Sequence, residues 1–156
     1  MILKTIKDIQ SLTKRVAALT RFISKATDRC APFFKALKGS KRSITWTADC
    51  DKAFSELNKY MSRALLLSTP EPGDILMMYL SVSATAVSSV LIRPKESAEH
   101  LVHYVSKALQ DAKVRYPDIE KLAHALVVSA RRLRPYFQAH TIQPTAQASV
   151  AEARDF

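Results

Sequence analysis

A break in hydrophobic periodicity at STPEPGD, residues 68–74, restricts the possible folds of this chain more than any other feature. Pro70, Pro72 and Gly73 fall within this stretch, and such residues interrupt regular structure. Before the break, apolar residues recur at helical spacing; after it, they gather in short runs typical of strands. The sequence therefore predicts an α/β chain, with a helical arm at residues 1–68 and a second unit at residues 73–142.

The arm is predicted to contain three helices. Residues 6–27 form the first, because one stripe of the pattern is apolar: Ile9, Leu12, Val16, Leu19, Phe22, Ile23 and Ala26. A short second helix is expected in CAPFFKALK, with Pro32 in its first turn and Gly39 at its end. A third helix follows Thr47, a residue type favoured at the N-cap, and Trp46 is expected to pack against its first turn.

The second unit is predicted to contain three strands and one long helix. The strand runs are DILMMYLSVS, AVSSVLIRP and HLVHYVSKAL, and their short links, including a turn at residues 94–100, favour an antiparallel meander. The helix begins near Pro117 and ends or kinks at Pro135. Its expected buried stripe is Ile119, Leu122, Ala123, Leu126, Val127, Ala130 and Leu133. HTI can begin a fourth strand, whereas residues 143–156 lack periodicity and predict a disordered tail.

Charge and composition restrict the classes of function. The formal net charge of +10 favours a polyanionic partner, either nucleic acid or an anionic surface, although a merely soluble basic protein has the same composition. With only two glycines, the chain lacks the phosphate-binding loops GxxxxGK[ST] and GxGxxG. No apolar run approaches the length of a membrane span, so no membrane partner is expected. Cys30 and Cys50 lack metal-ligand spacing and are expected to be structural, in a reducing compartment.

Four ordered stretches carry a resemblance to a known family: LTKRVAALTRFISKATDRCAPFFKALK, ITWTADCDKAFSEL, LLLSTPEPGDILMMYLSVSATAVSSVLI and YVSKALQDAKVRYPDIEKLAHALVVSARRLRPYF. They resemble the Pol polyprotein of gypsy-class LTR retrotransposons, especially plant lineages, over about residues 5–142. The matching segment follows the polymerase palm. The resemblance implies a helical thumb/connection arm of reverse transcriptase, then a truncated RNase H-like domain of three antiparallel strands and a covering helix.

The resemblance also implies a nuclease chemistry for which this chain lacks the residues. Ribonuclease H activity in the family uses carboxylates clustered around two divalent ions. Aligned on the family pattern, the first acid position is Ser81, the second is Leu122, and the third falls where the chain diverges into Gln143 and Pro144. The aspartate pair of the polymerase lies outside the chain. We therefore expect no catalytic residue, metal site or cofactor here, although Mg²⁺ is expected for the intact family.

Two alternatives to a degenerate, inactive chain stay open. An active metal-dependent ribonuclease H with shifted acids would use Ser81, Glu120 and another acid. Glu120 lies two residues from the family position and is expected to face solvent, while Asp74 and Asp118 are expected to be a loop acid and a helix-start acid. A basic protein-interaction module would instead dock its helices on protein partners.

Basic residues concentrate in the arm, where the resemblance places a thumb against a primer–template backbone. The candidate nucleic-acid contacts are Lys14, Arg15, Arg21, Lys25, Lys35, Lys38, Lys41 and Arg42. Such contacts bind phosphates without reading sequence, and an ordinary solvated helix face explains the same pattern. A second cluster, Arg131, Arg132 and Arg134, complements the negative end of the long helix without any ligand.

The function implied by the resemblance is that of a structural fragment of reverse transcriptase. The fragment would hold an RNA–DNA hybrid or another nucleic-acid backbone and tether the polymerase to the rest of the Pol polyprotein. Charge and the resemblance together place it inside the cell, in the cytoplasm or the nucleus.

Overall fold

Two hydrophobic cores organise the chain, one on each side of residues 68–74. The computed structural model describes residues 5–38, 45–63 and 66–146. One core lies among the arm helices, and the other lies between a sheet and the helix that covers it. No helix within the described ranges combines the length and the apolar character that crossing a membrane requires.

The arm contains more helical segments than the sequence predicted. Helix α1 spans Ile6–Ala18, a 3₁₀ turn spans Thr20–Phe22, α2 spans Ala26–Arg29, α3 spans Ala31–Lys38 and α4 spans Ala48–Met61. The single helix predicted over residues 6–27 is wrong, because the chain leaves right-handed helix after α1 and Lys25 adopts a φ of 50°. One consequence is that Leu19 is 40% exposed, whereas the other stripe positions are buried or partly buried.

The junction between α3 and α4 depends on Trp46. Its ring stacks on Phe33 with 5.9 Å between centroids, and its Nε1 donates a 2.7 Å hydrogen bond to Asp51 in the first turn of α4. Thr47 occupies the N-cap as predicted, but its hydroxyl donates to the Cys50 thiol (3.4 Å) rather than capping the backbone. Both cysteines are free and buried. The predicted end of α3 at Gly39 lies outside the described residues.

The second unit has the predicted α/β architecture with one more strand than expected. Strands β1 (Ile75–Val82), β2 (Ala86–Lys95) and β3 (Ala98–Ala108) form the predicted antiparallel meander. Strand β4 (Thr141–Ala146) pairs in parallel with β1, giving the order β3-β2-β1-β4. The three-strand expectation is therefore wrong, and so is a tail that begins at residue 143, because residues 143–146 complete β4.

Helix α5 (Asp118–Arg132) covers the sheet and α6 (Arg134–Ala139) follows it, with Pro135 in the first turn of α6. The buried face of α5 is rotated from the predicted stripe. Ile119 is 73% exposed and Val127 is 46% exposed, whereas Leu122 and Leu126 do pack against the core. The residues of α5 that are buried instead are Lys121, Ala125, Val128 and Ser129. Small side chains at two of these positions let the helix approach the sheet closely.

A buried hydroxyl pair marks this close approach. The oxygens of Ser89 in β2 and Ser129 in α5 are 2.6 Å apart, and Ser129 also donates to the carbonyl of Ala125 at 2.7 Å. Both serines are at most 4% exposed. Because Ser129 uses its proton on its own helix, Ser89 donates to the Ser129 oxygen. The pair thus fixes the lateral position of α5 over β2.

The arm packs against the sheet face opposite α5. The backbone N–H of Thr27 donates to the Ser106 hydroxyl (3.1 Å), and the Asp28 carboxylate accepts hydrogen bonds from Ser83 and Thr85 at 3.3 and 3.4 Å. The two cores agree with a division near residues 68–74, while these polar contacts join the two parts. The boundaries at 1–68 and 73–142 stay a prediction.

An ionic cluster anchors the boundary stretch to the sheet. Arg93 of β2 is 8% exposed and forms salt bridges with Glu71 (2.9 Å) and Asp74 (2.6 Å), and it donates to the carbonyl of Thr69 at 3.2 Å. The backbone N–H of Glu71 and the nearby Arg93 guanidinium hold the pKa of Asp74 below its ordinary value. The loop acid of the sequence prediction is therefore part of a structural cluster.

Replacing Arg93 should change how the stability of the chain depends on pH, because Arg93 helps to lower the pKa of Asp74. A lowered carboxyl pKa contributes stability above the unfolded-state pKa, and that contribution is lost as pH falls through the folded-state pKa. We expect Arg93→Met to lower the Tm most near about pH 7, with the difference from the unmodified chain shrinking below about pH 4. Thermal melts followed by circular dichroism measure the Tm of the variant and of the unmodified chain at each pH. Lys95→Met, an exposed change on the same strand, serves as the control. A Tm difference that does not vary with pH would contradict the linkage.

Removing one hydroxyl of the buried pair should cost more than removing both. Ser129→Ala leaves the Ser89 proton without an acceptor, and we expect the free energy of unfolding to fall by about 1–3 kcal/mol. The double variant Ser89→Ala with Ser129→Ala should recover most of that loss, because no buried donor is then unpaired. Urea denaturation of the four proteins completes the cycle. Strictly additive losses would show that the two hydroxyls are not coupled.

Candidate functional site

The position assigned to the first family acid faces the arm rather than α5. Met78 and Leu80 of β1 belong to the core beneath α5, and alternation along the strand directs Ser81 to the other face. Ser81 pairs with Ser88 of β2, which pairs in turn with Ser106 of β3. A row of three neutral hydroxyl residues therefore crosses the sheet on the face that carries the arm.

The position assigned to the second acid lies on the opposite side of the sheet. Leu122 packs against the core between α5 and the strands, so the structure does not bring Ser81 and Leu122 together. At this level of β1 the side chains that face α5 are Leu80 and Val82, which are also apolar. Glu120, the candidate displaced ligand, is exposed in the first turn of α5, as is Asp118.

These residues do not fit a two-metal centre. Mg²⁺ prefers carboxylate and other oxygen ligands, whereas the assigned positions supply a hydroxyl and an aliphatic chain. Across residues 5–38, 45–63 and 66–146, no three His, Cys, Asp or Glu side chains lie close enough to hold a metal ion. Gln143 and Pro144, at the third position, pair with Met77 and Met78 of β1. The described residues thus give no support for a step through a bound metal.

The arm presents most of the predicted nucleic-acid contacts to solvent. Lys14, Arg15, Arg21 and Lys35 are exposed and Lys25 is half-buried, and none of them forms a salt bridge with another described residue. The guanidinium of Arg21 lies 5.4 Å from the centre of the Phe22 ring, which holds it near the 3₁₀ turn. Lys41, Arg42 and the side chain of Lys38 lie outside the described part of the chain.

A cavity in the arm has mixed charge. It has a volume of about 570 Å³ and lies among α2, α3 and α4. Lys35 and Lys52 contribute positive charge to its wall, while Asp49 and Glu56 contribute negative charge. This balance favours neither an anion nor a cation as a ligand.

A second group of cations surrounds a cavity that the sequence did not predict. The cavity has a volume of about 330 Å³, and we call it the α5 basic pocket. It is lined by Lys107 of β3, Lys113 of the 3₁₀ helix Asp111–Arg115, and His124, Val127, Val128, Arg131 and Arg132 of α5. The sequence analysis assigned Arg131 and Arg132 only to the helix end. The helical spacing of His124, Val128 and Arg131 was the available signal, but the two lysines join them only through the fold.

Two histidines report the electrostatics around this pocket. Burial, followed by the charges of Lys113, Lys107 and Arg131, lowers the pKa of His124. Burial is also the main cause that lowers the pKa of His103 on β3, and Arg21 and Arg132 add to it. Both imidazoles are therefore neutral near neutral pH. Because Arg21 lies in the arm and Arg132 in α5, positive charge reaches His103 from both faces of the sheet.

Comparison with solved structures shows a shared fold. The foamy viral protease-reverse transcriptase in complex with an RNA/DNA hybrid aligns with a TM-score of 0.75 and 15% identity, over 97% of this chain and 21% of that chain. The same viral protein in complex with dsDNA gives a TM-score of 0.73 and 16% identity, over 97% and 32%. Its dRH form in complex with ds DNA gives 0.75 and 16%, over 97% and 27%. The chain thus spans about a fifth to a third of these proteins.

Sequence comparison identifies the family of most of the chain. None of the curated proteins matches the chain. A family model described as the RNase H-like domain found in reverse transcriptase matches residues 46–143, which is more than half of the chain. The match begins at Trp46, includes α4 and the first three strands, and ends within β4. The chain belongs to the family of RNase H-like domains found in reverse transcriptase.

Proposed function

We propose that the chain is a catalytically silent part of a gypsy-class retrotransposon reverse transcriptase that binds duplex nucleic acid and joins the polymerase to downstream domains. The family match supports the reverse transcriptase assignment, and the four stretches that resemble gypsy-class Pol support the narrower one. The observation that carries the proposal is the apolar contact of Leu122 with the core on β1, where hydrolysis requires carboxylates.

Catalytic silence follows from the charges available at the assigned positions. A two-metal nuclease needs several anionic oxygens on one side of the sheet to bind the ions and stabilise the leaving oxygen. Here Ser81 and Leu122 lie on opposite faces, and Glu120 points to solvent. Assembling a site from these residues would require α5 to rotate and lose the Ser89–Ser129 hydrogen bond.

Duplex binding is supported by the charge of the arm and by the structures that share the fold. Lys14 and Arg15 are adjacent and exposed on α1. Arg21 is exposed in the 3₁₀ turn that follows this helix. Unpaired cations of this kind bind the phosphate backbone and release its counterions. Solved foamy viral proteins with this fold are in complex with an RNA/DNA hybrid or dsDNA. We therefore take an RNA–DNA hybrid as the partner of this chain.

A tethering role is supported by the contacts that join the arm to the sheet. Tyr60 of α4 is buried, and its hydroxyl accepts a hydrogen bond from the Ser24 N–H at 3.1 Å. The Arg29 guanidinium covers the ring of Tyr60 at 4.5 Å, and Asp28 of the same short helix accepts from Ser83 and Thr85 beside the sheet. These contacts hold the arm helices in a fixed position relative to the sheet.

The chain should not cleave the RNA strand of a hybrid. We expect no Mg²⁺-dependent product above the level without protein, since the assigned positions lack carboxylates. Glu120→Gln should leave both this result and hybrid binding unchanged. Gel analysis of a hybrid labelled on its RNA strand measures cleavage. Mg²⁺-dependent degradation that Glu120→Gln abolishes would instead establish the active nuclease with shifted acids.

Neutralising two arm cations should weaken hybrid binding and its dependence on salt. For Lys14→Ala with Arg15→Ala, we expect the slope of log affinity against log salt to become shallower by about 0.9 for each lost phosphate contact. Fluorescence anisotropy with a labelled hybrid measures the slope. Lys59→Ala with Lys95→Ala removes the same charge from exposed positions outside the predicted contacts and should change the slope less. Undetectable binding at low salt would favour a protein-interaction module.

A further inference from the structure

We propose that the α5 basic pocket binds a phosphate group of a nucleic-acid backbone, with the four cations neutralising it and His124 Nε2 donating a hydrogen bond to it. This inference rests on the proposed function, because it assigns a second contact of the same duplex-binding surface. The sequence had assigned hybrid contacts only to the arm, whereas the pocket lies beside α5.

The charges of the pocket favour an anionic ligand. Lys107, Lys113 and the pair Arg131 and Arg132 come from three separate elements and line one cavity. None of the residues lining it is acidic, and none of these cations forms a salt bridge with another described residue. Arginine forks and lysine ammonium groups are the usual protein partners of phosphate oxygens. A phosphate group would offset the mutual repulsion of the four cations.

His124 adds a directional polar group to this charge. Its Nε2 is buried and has no hydrogen-bond partner among the described residues, although buried polar atoms in folded proteins are nearly always paired. The imidazole forms part of the wall of the pocket. A phosphate oxygen entering the pocket would give Nε2–H an acceptor. The same oxygen would bring negative charge next to a ring that burial, followed by the nearby cations, keeps neutral.

The surroundings of the pocket favour a nucleic-acid backbone over a small free anion. Val127, which is 46% exposed, and Val128 provide an apolar wall suited to the sugar next to a phosphate. Arg132 also acts on His103, as does Arg21 of the arm. A cation of the pocket and a cation of the arm therefore both lie near the edge strand β3. A linear polyanion is long enough to contact both, and a single phosphate ion is not.

The pocket should couple binding to proton uptake. The groups that face His124 are Lys107 from β3, Lys113 from the 3₁₀ helix and Arg131 from its own helix, all of them positive. A bound phosphate opposes these charges and raises the pKa of His124. By linkage, binding then strengthens as pH falls through the pKa of the complex.

Hybrid binding by matched variants tests the pocket separately from the arm. With a labelled hybrid of about 20 base pairs, we expect Lys113→Ala with Arg131→Ala to weaken binding about tenfold and to reduce the salt slope by about 0.9 per contact. The charge-matched control is again Lys59→Ala with Lys95→Ala. A pocket variant that behaves as the control, while Lys14→Ala with Arg15→Ala weakens binding, overturns the pocket and leaves the proposed function standing. The reverse result supports the pocket and removes the arm contacts.

The contact of His124 with a phosphate can be tested separately, through the pH dependence of hybrid binding and the pKa of the His124 ring. The unmodified chain should bind the hybrid several-fold more tightly at about pH 6 than at about pH 8, and His124→Asn should lose the part of this gain that belongs to His124. Proton NMR of the His124 ring should show its pKa rising when the hybrid is added. A pKa that rises with millimolar inorganic phosphate but not with the hybrid would identify a free-anion site and overturn the proposal. Circular dichroism of each variant verifies folding.

Discussion

The packing of α5 across the sheet is the constraint on which the rest of the structure depends. Ala125 and Ser129 are small enough to let the helix approach β1 and β2, and the Ser89–Ser129 hydrogen bond fixes its position. The close contact fills the space beneath α5 with apolar side chains and turns the flank of the helix toward β3 and Lys113. The same contact therefore places apolar side chains on the sheet side of α5 and leaves the basic cavity at its flank.

The local pattern of the sequence predicted most elements but not their interruptions. The period change at residues 68–74, the three antiparallel strands and the helix after Pro117 are confirmed, because each depends on spacing within one segment. The break at Lys25 uses left-handed backbone without glycine, for which the sequence gives no signal. The turn predicted within residues 94–100 is present but tighter, since only Glu96 and Ser97, with φ values of 52° and 68°, separate β2 from β3. The sequence indicated only a possible start of β4, at HTI, because the strand is stabilised by pairing with distant β1.

The candidate sites were predictable only where a single segment carries them. The exposed cations of α1 could be recognised from their position off the apolar stripe, whereas Lys107, Lys113 and Arg131 meet only through the fold. The family pattern assigned Ser81 and Leu122 by alignment, but the sheet face of each depends on strand alternation and on the rotation of α5. Rotation of this kind follows from side-chain volume and buried polar pairing, which a hydrophobic repeat alone does not encode.

Strand β4 also bears on how copies of this chain behave together. It closes one side of β1 and thereby becomes an outer strand of the sheet, with a ladder of backbone groups that a neighbouring polypeptide could extend. Pro144 lies in the middle of this strand and lacks an N–H, so it interrupts any continuous pairing along that side. Pro144, which lies where the resemblance leads us to expect the third acid, thus also hinders growth of the sheet from one molecule to the next.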